Sequence, residues 1–412
     1  MTETIFGDRL RQARTLRQRK LADLAGLLGC SVPTLSKWEH AGATEVTARQ
    51  LAILAESLRF SPSFFFSPPS APLTDNDLLF KAPKGMSKRE AAWLREFVRL
   101  LSELLEWMDG QRHLPPVKIR PASRDHIDVT SAARELRAAL ALPPTGPVGY
   151  LTHAAERAGV VVAVRRRGTA AASPWALPAD EPTQGARERH EGCSTWVGEF
   201  RDRPLVLMRG VDGWEKTRWV LAHELGHLCL HAGRMPVSEA EEGQASRFAS
   251  ELLAPISEVS GELPRVITLA ALLDLKFKWG ISLAALIRHL HTNQVITDQR
   301  KDTLYQQLYT RRNPDTGRTY GATEPGWDKY EPERPGLIAA WLGHITGTLV
   351  ADAVSLAVRT FPPDLLSSVL NEQRAESESQ ADAGKEGFSG NVIHLGDRVA
   401  ASSPQARQLR LL

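Results

Sequence analysis

His223-Glu224-Leu225-Gly226-His227 constrains this chain more than any other feature. On an α-helix, residues four apart lie on one face, one above the other. Two imidazoles so placed can share one metal ion, and Glu224 between them hangs beside the attacking water as a general base. The flanking residues predict the helix itself, from Val211 to Gly233: Asp212 is placed to cap its start, Glu215 sits three residues on, and Gly233 can close its end. Leu221, Leu225 and Leu228 form an apolar stripe on a different face from the histidines. The plain alternative is a helix with two partly buried, hydrogen-bonded histidines.

A zinc enzyme takes a third protein ligand and keeps a fourth position for water. Downstream, Ser238 and Glu241 form a capping box and Pro255 stops the helix that follows. On that helix Glu242, Ala245 and Ala249 share a face, and the small residues allow close approach to the first helix, bringing Glu242 to the metal. Glu239, Glu241 and Glu251 read as a solvated face. His231 is the rival ligand, but eight residues from His223 is about 12 Å along one helix axis, a poor geometry for convergence. It then caps the helix end or supports a ligand from behind. Cys229, two residues past His227, faces away from the metal as a packed thiol.

His-Glu-Leu-Gly-His-Leu-x-Leu-His over 223–231, followed by Glu242-Gly-Gln-Ala245-Ser-Arg-Phe248-Ala249-x-Glu-Leu-Leu-Ala-Pro255, resembles the ImmA/IrrE metallopeptidases. Trp279-Gly-Ile-Ser282 also resembles a helix start that follows the zinc motifs there, and the likeness spans roughly residues 115–310. It implies a zincin-like α+β domain in which His223, His227 and Glu242 bind Zn²⁺ and Glu224 activates water. It further implies a cytoplasmic endopeptidase whose protein substrate is a helix-turn-helix repressor, cleaved to release stress-response or mobile-element genes.

The first sixty residues carry an independent signal. Leu10–Arg14 opens one helix, Leu21–Leu28 a second, Gly29 turns the chain, and Ser31 caps a third over Val32–Glu39 with Pro33 in its first turn. Thr47–Leu58 follows as a fourth. Leu24-Ala25, Gly29, Ser31, Leu35-Ser36 and Glu39 make this resemble a lambda-repressor-like helix-turn-helix, which implies a third helix laid in the major groove of double-stranded DNA. Helix two begins with Lys20-Leu21 where that family has Thr-Gln, and Val32 and Pro33 cannot make bidentate bonds to base edges. Thr34, Ser36 and Lys37 remain to face bases, with Arg17, Arg19 and Lys20 as backbone clamps. A structural or dimerising module, or a mimic of the substrate's own domain, is the competing reading. Phe64-Phe-Phe66 anchors its last helix.

The fold class expected is mostly α with a small β-sheet: an all-α helix-turn-helix domain (1–66), a hinge and connector helix (67–114), the metallopeptidase domain (115–310), a helical C-terminal region (311–370) and a disordered tail (371–412). Pro68, Pro69, Pro72, Pro83 and Gly85 mark the hinge, and Ser87–Met108 is an amphipathic helix whose apolar side includes Trp93, Phe97, Leu101 and Leu105. Helices over Thr130–Leu142 and Val148–Ala158 precede strands at Val160–Val164, Ser194–Phe200 and Pro204–Met208. An edge strand there could take an extended substrate by backbone pairing, with Trp196 on the rim or simply packed. Residues 165–189 read as a surface loop. Candidates to steady an oxyanion are His190, His231, His289 and His291. Arg312, Arg318, Lys329 and Arg334 sit in a turn-rich stretch and could bind phosphate, with solvated loop charge the default reading.

A net charge of +3 over 412 residues argues neither for nor against nucleic acid, and three scattered cysteines fit a reducing compartment without a disulfide framework. The N-terminus carries no leader pattern, and Leu337–Val358, interrupted by polar residues, reads as one amphipathic helix rather than a membrane span. Two functional classes are compatible with all this: a zinc endopeptidase, or a transcription regulator whose zinc domain senses metal or ligand without proteolysis. Oligomeric state is left open, a dimer included.

Overall fold

The computed structural model describes residues 2–74, 77–78, 88–122, 128–164, 192–210, 213–232 and 237–370. The expected surface loop at 165–189, the tail from 371, the cap Asp212, the closing Gly233 and the hinge residues Pro83 and Gly85 lie outside these.

The N-terminal part runs β1 (Thr2–Ile5), α1 (Gly7–Leu16), α2 (Leu21–Leu28), α3 (Val32–His40), β2 (Thr44–Thr47), α4 (Ala48–Leu58) and α5 (Pro62–Phe66). Local chemistry accounts for the helices. Gly29 ends α2 in the left-handed conformation, Ser31 accepts the Thr34 N–H, and Thr47 with Gln50 closes a capping box on α4. The strands were not expected. They pair antiparallel, Thr2 opposite Thr47 and Ile5 opposite Thr44, which buries Ile5 and Val46 against the helices. Phe64 and Phe65 fill the core while Phe66 is 40% exposed, so two of the three phenylalanines do the anchoring.

The helix α6 (Lys88–Gln111) is a core helix, its Trp93, Phe97, Leu101, Leu104, Leu105 and Met108 all buried. It also buries charge. Glu103 accepts from Arg9 of α1 at 2.8 Å, and Arg99 pairs with Asp8 at 2.5 Å. Buried ions persist only when paired in this way. Arg9 further holds the carbonyls of Ser67 and Pro68, tying down the start of the segment read as a hinge.

After α7 (Val129–Ala139) and α8 (Leu151–Arg157) come β3 (Val161–Val164), β4 (Gly192–Val197) and β5 (Arg203–Met208) in the order β3-β5-β4, the first pair parallel and the second antiparallel. Both faces are covered. Val161, Ala163, Cys193, Leu205 and Leu207 share a core with α1–α6 and the C-terminal helices, while Val162, Val164, Val206 and Met208 face the opposite core. This explains why Val160–Val164 is a continuous apolar run rather than an alternating one.

The second core is built on α9 (Trp214–Leu230) and α10 (Glu239–Leu253), with α11 (Ile256–Val259), α12 (Leu269–Trp279), α13 (Leu283–Thr292) and α14 (Asp298–Thr310) beyond. The expected single helix over 337–358 is two, α15 (Leu337–Thr346) and α16 (Ala351–Val358), bent by 75°. Gly347, at φ 70°, ends the first in a conformation that glycine adopts without strain. The last helix is α17 (Pro363–Leu370). Among the described residues no single helix is long and apolar enough to cross a membrane.

Candidate metal centre

The helix α9 carries His223, Glu224 and His227 through the interior. It is buried almost all round, with only Lys216 exposed and Trp219 half-buried, so the face carrying the histidines is covered as well as the apolar stripe of Leu221, Leu225 and Leu228. Its start is held by charge rather than by a capping box. Gly213 occupies the N-cap position, and Glu215 instead forms an ion pair with buried Lys276 of α12. Arg218, wholly buried, donates to Glu333 at 2.5 Å and to the Val148 carbonyl at 2.8 Å, and Glu333 also accepts the Thr152 N–H. Glu333, which sequence did not single out, lies in the turn-rich stretch beside Arg334 and is wholly buried, whereas Arg312, Arg318 and Lys329 are exposed. Gly280, from the helix-start motif, lies against Trp214, leaving no space for a Cβ.

The second helix, α10, begins with the expected capping box of Ser238 and Glu241 and ends just before Pro255. Its small face meets α9 closely. A Cβ on Gly226 would lie 3.0 Å from a Phe248 ring carbon and 3.3 Å from Ala245 Cα, so the glycine between the two histidines sets the helix separation. Glu251, expected on a solvated face, is buried. It accepts the Ile256 N–H and lies 3.5 Å from His289, because α10 is covered by α13 at this level.

This packing brings His223, His227 and Glu242 together, their donor atoms all within 4.8 Å of one another. His223 Nε2 lies 3.1 Å from His227 Nε2 and 3.2 Å from Glu242 Oε2, and His227 Nε2 lies 3.6 Å from Glu242 Oε1. Three donors on a tetrahedral zinc ion at ~2.0–2.1 Å would be about 3.3 Å apart. The donor types and spacings therefore fit a zinc site of the two-histidine, one-glutamate kind. Burial works to raise the Glu242 carboxyl, but hydrogen bonds and charge from His223 and His227 outweigh it and hold it well below the usual carboxylate range. Burial lowers the His227 imidazole, which favours the neutral form a metal needs.

Each imidazole has a partner for its other nitrogen. His227 Nδ1 lies 3.0 Å from His231 Nδ1, and His231 Nε2 lies 2.9 Å from Gln244 Oε1 on α10. The Nδ1 of His223 is 3.4 Å from Ser246 Oγ, and its ring stacks on Trp219 at 5.1 Å. His231 thus lies behind His227 at the helix end, outside the group of three converging donors. Cys229 is buried, its thiol pushed up to about 12 by desolvation, in keeping with a packed role.

Glu224 points from the same turn towards β4. Gly192, Ser194 and Trp196 alternate onto the face that looks at α9. Ser194 Oγ donates to Glu224 Oε2 at 2.7 Å, and a Cβ on Gly192 would stand 2.9 Å from Glu224 Oε1. Burial pushes the Glu224 carboxyl up to about 7, with His223 and the Ser194 hydrogen bond opposing. A carboxylate poised near neutrality suits proton transfer at neutral pH. Neither Gly192 nor Ser194 was singled out from sequence. The period-two alternation of β4 was the available signal, but the strand's facing on Glu224 needed the register.

Other candidates separate. Trp196 is half-buried, packs on the α9 core and donates to the Leu228 carbonyl at 3.4 Å, which matches the packed alternative. Of the oxyanion candidates, His231 is engaged behind His227, His289 of α13 is buried and donates to the Ala254 carbonyl, and His291 pairs with Asp298. His190 lies outside the described residues. On the N-terminal module, Lys20 and Lys37 are exposed, and Arg19, Thr34 and Ser36 are partly so. Arg17 is the correction: it is buried, donating to the Leu58 and Arg59 carbonyls and to Asp364 of α17 at 2.6 Å, so its charge is spent internally and cannot clamp a phosphate.

Residues 5–63 match the helix-turn-helix domain family, and residues 201–291 match the IrrE N-terminal-like domain, a peptidase family. No curated protein matches the chain. The second match includes His223, Glu224, His227 and Glu242, though it is narrower than the stretch over which the sequence likeness was drawn. The chain thus joins an N-terminal helix-turn-helix domain to an IrrE N-terminal-like domain.

Proposed function

We propose that the protein is a zinc-dependent endopeptidase, with residues 115–310 carrying the chemistry and a helix-turn-helix transcriptional repressor as its substrate class. Cleavage would release stress or mobile-element genes. The observation that carries the zinc reading is the convergence of His223, His227 and Glu242 beside a buried, raised Glu224. The match to a peptidase family and the linked helix-turn-helix domain support a protein substrate and a regulatory setting.

Bound zinc supplies Lewis-acid polarisation of the scissile carbonyl and of water. The chain's own residues do the rest. Glu224 takes a proton from the attacking water and passes it to the leaving amine nitrogen. Ser194 holds one Glu224 oxygen at 2.7 Å, so the carboxylate cannot turn away, and Gly192 leaves room for the other. Enclosure of α9 keeps these groups in a low-dielectric setting where proton transfer and charge interactions are strong. For the N-terminal module, we propose that Arg19, Lys20, Thr34, Ser36 and Lys37 face double-stranded DNA.

Glu224→Gln tests the reading. The variant should keep its zinc and its DNA binding yet lose cleavage of the repressor by at least ~10²-fold. If every phenotype survives the substitution, the protein is instead a regulator whose metal domain works without proteolysis.

A further inference from the structure

Behind His227 of the candidate metal centre lie two further polar groups, buried His231 and partly buried Gln244, that the proposed chemistry does not use. His227 is wholly buried and turns its Nδ1 to His231 Nδ1 at 3.0 Å. His231, also wholly buried, turns its Nε2 to Gln244 Oε1 at 2.9 Å. The geometry allows one proton arrangement when His227 gives its Nε2 to a metal. Gln244 Oε1 can only accept, so His231 carries its proton on Nε2 and offers a bare Nδ1. That bare nitrogen must accept, so His227 carries its proton on Nδ1. This leaves Nε2 of His227, the atom that faces His223 and Glu242, with its lone pair free.

We propose that His231 and Gln244 are positioning residues that fix the tautomer and ring orientation of His227 for metal, an inference that rests on the zinc reading above. The chain does more than orient one ring. His231 stands at the C-terminal end of α9 and Gln244 on α10, two residues beyond Glu242, so the same hydrogen bonds hold the helix that supplies the third ligand at its depth. The other ligand histidine has a looser arrangement. Among the described residues His223 Nδ1 meets the Ser246 hydroxyl alone, at 3.4 Å, and its ring stacks against Trp219. An asymmetry follows: the support of His227 matters more to metal affinity than that of His223.

Zinc affinity of the full chain, measured by competition with a chelating dye, tests this without reference to any substrate. His231→Leu should weaken zinc binding about 10–100-fold, the range for lost supporting hydrogen bonds at metal sites. His231→Asn, whose side-chain oxygen can accept from His227 Nδ1, should recover most of it, and Gln244→Leu should fall between. Ser246→Ala should change affinity less than His231→Leu. In ¹⁵N-labelled, zinc-free protein the His227 ring should already hold its proton on Nδ1, and that preference should be lost in Gln244→Leu. Should His231→Leu fail to fold, the Asn and Gln244 variants carry the same comparison. Wild-type affinity in folded His231→Leu and Gln244→Leu would overturn the positioning role and leave the peptidase reading standing. Absence of zinc binding by the wild type would overturn both.

Discussion

Glu333→Gln removes the buried charge opposite Arg218, and the structure sets how much that should matter. Arg218 is wholly buried and Glu333 likewise, at 2.5 Å, with Glu333 also accepting the Thr152 N–H. The neutral amide leaves the guanidinium without a countercharge, held by the backbone carbonyls of Val148 and Gly149 and by the face of the Trp214 ring at 4.7 Å. Breaking a buried ion pair from one side costs about 3–5 kcal/mol, because the surviving charge is stranded, whereas replacing both members by apolar groups is often neutral. Urea denaturation should therefore show a loss of about 3 kcal/mol or more for Glu333→Gln, and a smaller loss for the double variant Arg218→Met/Glu333→Leu. Zinc affinity should fall alongside, since Arg218 lies on α9 five residues before His223. A loss below about 1 kcal/mol in the single variant, or a double variant worse than both singles combined, would refute the argument that this pair seats the helix.

Three further outcomes follow from the same structure. His289 is lowered to about 4 by burial, against 6.5 for the free side chain, with its hydrogen bond to the Ala254 carbonyl opposing. Its folded value being the lower one, the unfolded chain takes the proton first: stability is full above about 6.5 and is lost as pH falls towards 4. The loss amounts to at most about 3 kcal/mol, and His289→Asn should flatten the pH dependence of chemical denaturation across that window; an unchanged slope would show that His289 is not the group responsible. On the N-terminal module, Lys20→Ala with Lys37→Ala should lower the salt slope of DNA binding by about 2, since each phosphate contact contributes about 0.9. Arg17→Ala should instead lower thermal stability, and a gel-shift in which only Arg17 altered the slope would reverse that assignment.

What the sequence determined by itself is what depends on neighbours a few residues away. The four-residue spacing of His223 and His227, the capping box at Ser238, the turn at Gly29 and the stop at Pro255 are all local, and helix periodicity and cap chemistry act over one or two turns. Glu242 was legible because two small residues on its face implied close packing onto α9. What only the tertiary structure decided is where long side chains find partners far along the chain. Arg17 meets Asp364, Arg218 meets Glu333, Glu215 meets Lys276, and Ser194 meets Glu224. The pairing of β1 with β2 across some forty residues, and the bend that splits 337–358 into two helices, belong to the same class. Burial makes each of these interactions strong and obligatory, since a charge or hydroxyl removed from water must be satisfied by whatever the fold brings near. Residue type alone says that Arg17, Glu251 and His231 need partners. It does not say whether those partners are DNA, water, or another part of the same molecule.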